Sequence, residues 1–469
     1  MKRNILRWKN IGCLALAATL LVTMIPIPVR ADQQYWPEGP GVTSTSAIVM
    51  EINSGTILYD KDSDMVNYPA SITKVLTALI AIENSTMDEI VTFSDDAIDN
   101  TPRDSSHIAR DYGEQMTMEE CLYSLLLASA NECAYAIAEH VGTKLGGNYQ
   151  TFIDMMNERA QQLGCTNTHF SNSSGLPDKN HYTSAHDMAL IASEAYRNET
   201  FRIVVGTKKY QIPPTNKHSE ITYLANHHQM LHRVNGSNRV YEYCTGGKTG
   251  YTDVARHTLV TFAEKDGMSL VCVVMRSNIT AQYVDSTLLF DYCFDNFKPF
   301  SIEGNETSIE DAHDNKGVLN SYGSYVTLDR NAYIVLPAAA TFADATCTMT
   351  DVVGSGKTIA KLEYTYAGRK VGSIDLVASG AVVEDSYFDK EPEPLPDPEK
   401  KVVKIKPAYI IAAVIILAVI ITIIILCKRL YDNYYVILHN MEVRRQRRER
   451  FRPISDRKRR RRRGDRMFY

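Results

Sequence analysis

The sequence predicts an α+β protein held outside a membrane: a mixed sheet flanked by helices, then a small all-β domain, then a C-terminal transmembrane helix. Three observations predict it. Alternating β-like runs near the start give way to helical periodicity and return as strands between Cys244 and Met275, an order that implies helices packed on a mixed sheet. After about Phe300, short β runs are broken by Gly and Asp with almost no helical period. Between Lys406 and Lys428, 21 residues carry no charge.

Residues 1–31 read as an export signal. Lys2, Arg3, Arg7 and Lys9 form a basic start, an apolar run extends from Ile11 to about Val29, and Val29-Arg30-Ala31 supplies a small-x-small cleavage site. Pro26 and Pro28 favour cleavage over the alternative, an uncleaved anchor. A main domain is expected over residues 35–297. In it, Thr43–Asp60 alternates and turns at Asn53-Ser54-Gly55, a hairpin signature. Helical patterns cover Ser71–Glu83, Met118–His140 and Gln150–Leu163, and "HTLVTFAEKDGMSLVCVVM" gives two strands about a Lys-Asp-Gly turn. Ile279–Phe297 closes the domain as a helix.

Residues 298–385 are expected to form the small β-domain. Residues 386–406, rich in Pro and charge, form an extended spacer. The uncharged run 407–427 would make a helix of roughly 31 Å, matching a hydrocarbon core of about 30 Å. Residues 428–469 hold 16 Lys/Arg against 5 Asp/Glu. The positive-inside rule puts this tail in the cytoplasm and everything before the span outside.

The nearly balanced total charge hides two opposed parts. The tail is +11, while residues 32–406 are −20. An acidic exterior argues against nucleic acid as its partner. The tail most simply holds anionic lipid head groups; cytoplasmic nucleic acid or a protein is the alternative. Seven cysteines lie in residues 32–406 without a CxxC pair, so mostly buried free thiols are expected, with a disulfide not required in a domain this large. No metal-ligand spacing stands out. His181, His186, His227 and His228 read as surface or hydrogen-bonded residues. "GSGKT" at 354–358 resembles a phosphate loop, but position 351 is Asp rather than Gly and a strand pattern follows.

Three short motifs carry chemistry. Ser71-Ile-Thr-Lys74 heads an apolar helix. Ser-x-x-Lys arises by chance about twice in a chain this long, so it means little alone. Serine needs a base to become a nucleophile, and a lysine three residues on shares its helical face. That lysine serves as base only where burial and nearby cations lower its pKa. Ser129-Ala-Asn131 lies in "LLLASANECAYAIAEH", where a hydroxyl and an amide amid apolar residues need partners. Lys248-Thr249-Gly250, in "GGKTGYT", offers a cation and a hydroxyl to a substrate carboxylate, with a glycine that lets a substrate backbone approach.

This ordered set resembles the penicillin-binding proteins and serine β-lactamases. "PASITK", "SANECA", "NSSGLPDKNHYTSAHDMA" and "GGKTGYT" resemble most the low-molecular-weight D-alanyl-D-alanine carboxypeptidases of the S11 peptidase family, over roughly residues 40–300. The resemblance implies a β-lactamase/transpeptidase-like fold and a substrate ending in D-Ala-D-Ala on a peptidoglycan stem, with β-lactams as covalent inhibitors. It also implies site roles. Ser71 is acylated, Lys74 is its base, and Ser129 relays protons. Asn131 positions the substrate amide, and Lys248 and Thr249 hold the carboxylate. The Ser71 and Tyr251 N–H groups form the oxyanion hole. No metal or organic cofactor is implied. Two departures stand out. The family's arginine after the following strand is missing from "SNITAQYVD", leaving Arg256 or Arg276 as substitutes, and the family's shallow amphipathic anchor is replaced by a full span. No glutamate occurs in "SNSSGLPDKNHYTSAHDMA", which argues against a β-lactamase. Endopeptidase action on cross-links and a catalytically silent wall-binding protein are the alternatives.

Overall fold

The computed structural model describes residues 35–234, 236–302, 305, 326–327, 332–351 and 358–378. These belong to one compact unit that extends to Val382. The segments read as export signal, spacer, membrane span and basic tail lie outside the described residues, as does most of the phosphate-loop-like run. No helix among the described residues is long and apolar enough to cross a membrane.

The central sheet is five-stranded and antiparallel, in the order β2-β1-β9-β8-β7. Its strands are β1 (Ser46–Glu51), β2 (Ile57–Lys61), β7 (Cys244–Thr252), β8 (Arg256–Lys265) and β9 (Met268–Ser277). The hairpin and the "KDG" turn therefore fall where the alternation placed them. Successive residues point to opposite faces of a strand. On β9, Val271, Val273 and Met275 join one apolar cluster while Leu270, Cys272 and Val274 join another. Both faces are covered, which is why these strands read as unbroken hydrophobic runs.

The first face packs on most of the helices: α1 (Lys74–Asn84), α2 (Asp95–Asp99), α3 (Met118–Leu127), α4 (Asn131–Lys144), α5 (Tyr149–Gln162), α6 (Ala185–Arg197) and α7 (Glu199–Gly206). The second face packs on α8 (Ala281–Asn296), through Tyr283, Leu289, Phe290 and Cys293. Helix α1 is apolar all round, and Val75, Leu76, Ala78, Leu79, Ile80 and Ala81 are all buried. A helix with this pattern belongs in a core, and α1 carries the Ser-x-x-Lys lysine into it. Two small hairpin-like pairs, β3 (Ile90–Thr92) with β4 (Gln115–Thr117) and β5 (Lys209–Ile212) with β6 (Thr222–Ala225), flank the helices. Helices α2, α6 and α7 and strands β3 to β6 were not called from the sequence.

Two helix expectations are corrected. The helix expected from Ser71 starts as a 3-10 turn, Ala70–Thr73, and becomes α-helical at Lys74. The helix expected over Met118–His140 is two helices, broken at Ala128–Ala130, because Ser129 takes φ +61°, which an α-helix excludes.

Beyond α8, β10 (Phe297–Ser301) pairs with β12 (Tyr333–Pro337). A four-stranded sheet runs β11-β15-β14-β13, from β11 (Val326–Thr327), β13 (Thr346–Asp351), β14 (Thr358–Tyr366) and β15 (Arg369–Ala378). Ile302, Ile334, Leu336, Leu362, Tyr364, Val371 and Ile374 form a separate apolar cluster there. The Tyr333 hydroxyl donates to buried Glu51 at 2.6 Å. Glu51 also accepts from the Ser54 N–H and hydroxyl, each at 2.7 Å, so one carboxylate ties the β1–β2 turn to β12.

Candidate active site

The 3-10 turn aligns the first motif. Residues i and i+3 eclipse one another in a 3-10 turn, so Lys74 lies over Ser71. The Lys74 Nζ donates to Ser71 Oγ at 3.1 Å, to Asn131 Oδ1 at 2.6 Å and to the Ser174 carbonyl at 2.6 Å. The lysine is fully buried, while Ser71 is half-buried. All three ammonium donors are thus used, one on the serine.

The break between α3 and α4 places the second motif. Ser129, held left-handed, accepts a hydrogen bond from Lys248 Nζ at 3.0 Å. Asn131 heads α4. Its side chain bridges Lys74 to Ser105 Oγ, at 2.9 Å, and its N–H donates to the Ser106 carbonyl. A left-handed non-glycine residue costs on the order of 1–3 kcal/mol and tends to mark functional geometry. Ala70, at φ +52°, is a second such residue beside Ser71.

The third motif lies on β7, the edge strand nearest Ser71. Thr249, Gly250 and Tyr251 line the cleft. Lys248 does not: it is buried, its Nζ on Ser129 and on the Thr249 carbonyl. Gly250, which lines the cleft, is also fixed by packing. A Cβ there would collide with Thr258 Oγ1 and lie 2.9 Å from the Ser71 nitrogen and 3.1 Å from the Pro69 carbonyl. From the opposite side Gly175, at φ +86°, has no room for a Cβ against the Ala70 carbonyl. Two glycines therefore clamp the Ser71 backbone.

The cleft has a volume of about 630 Å³. Ser71, Ser129 and Asn131 open into it beside the β7 residues, facing Ser105, Leu176, His227, Gln229, His257 and Tyr283. Among the described residues no lysine or arginine side chain lines it, and Arg256 and Arg276 are exposed outside it. Sequence reasoning gave no role to Ser174, Gly175 or Glu132 and read His227 only as a surface or hydrogen-bonded histidine, whereas it lines the cleft. Ser174-Gly175 lies in a stretch that carried the family resemblance but had no role; only the fold shows it gripping Lys74 and Ser71. His181 is buried against Thr73 Oγ1 at 2.9 Å, and His228 against Thr261 Oγ1 at 3.0 Å. Burial holds each near a pKa of about 3, so both are neutral packing groups.

Burial lowers both lysines. Burial holds the Lys74 ammonium well below the usual lysine range; the Lys248 charge adds to this and Glu132 opposes it. Burial brings Lys248 down to about 7. While Lys248 is charged it favours the neutral form of Lys74, an amine on Ser71 beside a cation on Ser129. Burial, and then Lys248, also lower the His227 imidazole.

A buried lysine on one serine and on an amide, beside a second serine held by a second buried lysine, defines a serine acyl-transfer site on a mixed α/β transpeptidase-like fold. The S11 peptidase model, D-alanyl-D-alanine carboxypeptidase, matches residues 33–278. The chain belongs to that family: it is a serine peptidase and a low-molecular-weight penicillin-binding protein. It is similar to the D-alanyl-D-alanine carboxypeptidase DacF of Bacillus subtilis, 31% identical over 54% of this chain and 62% of that protein. The DacA carboxypeptidase of Haemophilus influenzae is 28% identical over 76% of this chain and 90% of its own. The solved Streptomyces K15 DD-transpeptidase aligns with a TM-score of 0.51 at 30% identity, over 55% of this chain and all of that one.

Proposed function

We propose that the chain is a D-alanyl-D-alanine carboxypeptidase that trims peptidoglycan stem peptides through an acyl-enzyme on Ser71. The observation that carries this reading is the 3.1 Å hydrogen bond between Ser71 Oγ and a fully buried Lys74. Neutral Lys74 takes the serine proton as Oγ attacks the carbonyl between the two D-alanines. The Ser71 and Tyr251 N–H groups receive the oxyanion. Ser129, backed by Lys248, passes a proton to the leaving amine, and the C–N bond breaks. Water then hydrolyses the ester and frees the serine. Asn131 orients the substrate amide, Thr249 meets the terminal carboxylate, and Lys248 supplies charge from behind. The exposed edge of β7 can pair with an extended peptide. β-Lactams acylate the same serine.

The expected result is release of free D-alanine from a peptide ending in D-Ala-D-Ala. A peptide with an amidated terminus should be cut at least about tenfold more slowly, the scale of a lost charge-assisted contact. Undiminished cleavage of the amide would favour endopeptidase action on cross-links, where the leaving side carries no such terminus.

We also propose the layout in which this site works. Residues 1–31 direct export, residues 35–297 form the catalytic domain and 298–385 a small β-domain. Residues 386–406 form a spacer, 407–427 cross the membrane, and the basic tail 428–469 lies on the cytoplasmic leaflet against anionic lipid. The charge contrast between the two sides and the 21-residue uncharged run support this. Protease added to intact cells should remove the catalytic domain and spare an epitope placed after Tyr469. Cleavage of the epitope with survival of the domain would reverse the orientation.

A further inference from the structure

One buried carboxylate beside the site has no part in the chemistry above. Glu132 follows Asn131 at the head of α4 and is 2% exposed. Its Oε1 accepts the Ile108 N–H at 2.6 Å. Among the described residues its Oε2 has no partner, and burial raises the carboxyl above its ordinary pKa. A carboxylate buried in this way is costly, and packing alone would be better served by an apolar side chain.

The bond to Ile108 falls on the loop that forms one wall of the cleft. Pro102, Asp104, Ser105 and Ser106 line the cleft, and all but Ser105 are exposed. Behind them lies a second cavity of about 700 Å³, which Pro102 and Glu132 also line. With open space on both sides, this wall depends on hydrogen bonds more than on packing. Ile108 is where it meets the main core, and the Ile108 backbone is gripped twice. Its N–H donates to Glu132. Its carbonyl accepts from Arg110 at 3.0 and 3.3 Å, and Arg110 is itself held by buried Glu114 at 2.8 Å. Three residues earlier in the chain, Ser105 Oγ accepts from Asn131 Nδ2 at 2.9 Å, and Asn131 Oδ1 accepts from Lys74. Two consecutive residues of α4 are thus linked through the loop: Glu132 fixes the wall, and the wall fixes the Asn131 amide. We propose that Glu132 is a positioning residue for acyl transfer, which by anchoring Ile108 keeps Ser105 on Asn131 and so Asn131 on Lys74. This rests on the Ser71 acyl-enzyme reading above.

The test measures acylation of the full chain by a fluorescent penicillin and release of D-alanine from a peptide ending in D-Ala-D-Ala. E132L fills similar space without an acceptor and is expected to slow both at least about tenfold, within the scale of a displaced reacting group. E132Q keeps an oxygen for the Ile108 N–H but carries no charge, and should stay within about threefold of wild type. Acylation of E132L at the wild-type rate would overturn the proposal. So would an E132Q loss as large as that of E132L, which would assign the effect to charge near Lys74. S105A breaks the next link: it should slow acylation by itself, yet cost less than about twofold more when added to E132L. Losses that multiply would make Glu132 a general brace and overturn its positioning role. Should E132L fail to fold, E132D falls one methylene short of Ile108 and should show the same loss and the same coupling to S105A. A wild-type chain that takes penicillin but releases no D-alanine would overturn the carboxypeptidase reading, and the acylation rates would still decide the role of Glu132.

Discussion

Ser71→Ala is expected to abolish covalent labelling by a fluorescent penicillin and release of D-alanine, without unfolding the chain. The substitution removes the oxygen proposed to form the ester, and neither Ser129 nor Thr249 lies within the Lys74 hydrogen-bond set. Its structural cost is small. Ser71 is half-buried and loses one contact, while Lys74 keeps Asn131 and the Ser174 carbonyl. A single lost hydrogen bond of this kind is worth about 1 kcal/mol, and alanine fits the 3-10 turn. The Ser71 backbone stays clamped by Gly175 and Gly250. Gel fluorescence against a thermal unfolding curve checks both halves. Equal labelling of a folded Ser71→Ala chain would move the nucleophile elsewhere.

Much of the fold was legible because both sheet faces are apolar. Strands β8 and β9 needed only unbroken apolar runs about a Lys-Asp-Gly turn, and α1 only an apolar stretch headed by a lysine. The break between α3 and α4 was not legible. "LLLASANEC" contains no glycine or proline, and each residue is compatible with a helix; tertiary contacts to Lys248 and Ser106 impose the left-handed Ser129. The serines and lysines of the site were legible as types at spacings. Their partners were not, since Ser174 meets Lys74 across 100 residues of sequence and Lys248 meets Ser129 across 119. Gly250 carries a second constraint that spacing could not reveal: the place of a side chain there is taken by Thr258 and the protein's own Ser71 backbone.

Lys74→Arg should slow acylation by at least about a hundredfold, the low end of general-base catalysis, because a guanidinium keeps its proton at every working pH. The substitution conserves charge, so the loss would report proton acceptance and not ion pairing. The wild-type pH profile gives the independent check. Acylation needs Lys74 neutral, so kcat/KM rises with pH through the lowered Lys74 value. It also needs Lys248 charged, so kcat/KM falls as pH rises through about 7. The two limbs together make a bell-shaped profile for the free enzyme, with its alkaline fall near the Lys248 value. In Lys74→Arg the Lys74 titration should disappear from the profile, leaving only a slow acylation in which solvent hydroxide takes the serine proton. A folded Lys74→Arg chain that acylates at near-normal rate with both limbs intact would reduce Lys74 to a structural ammonium and leave Ser71 without its base.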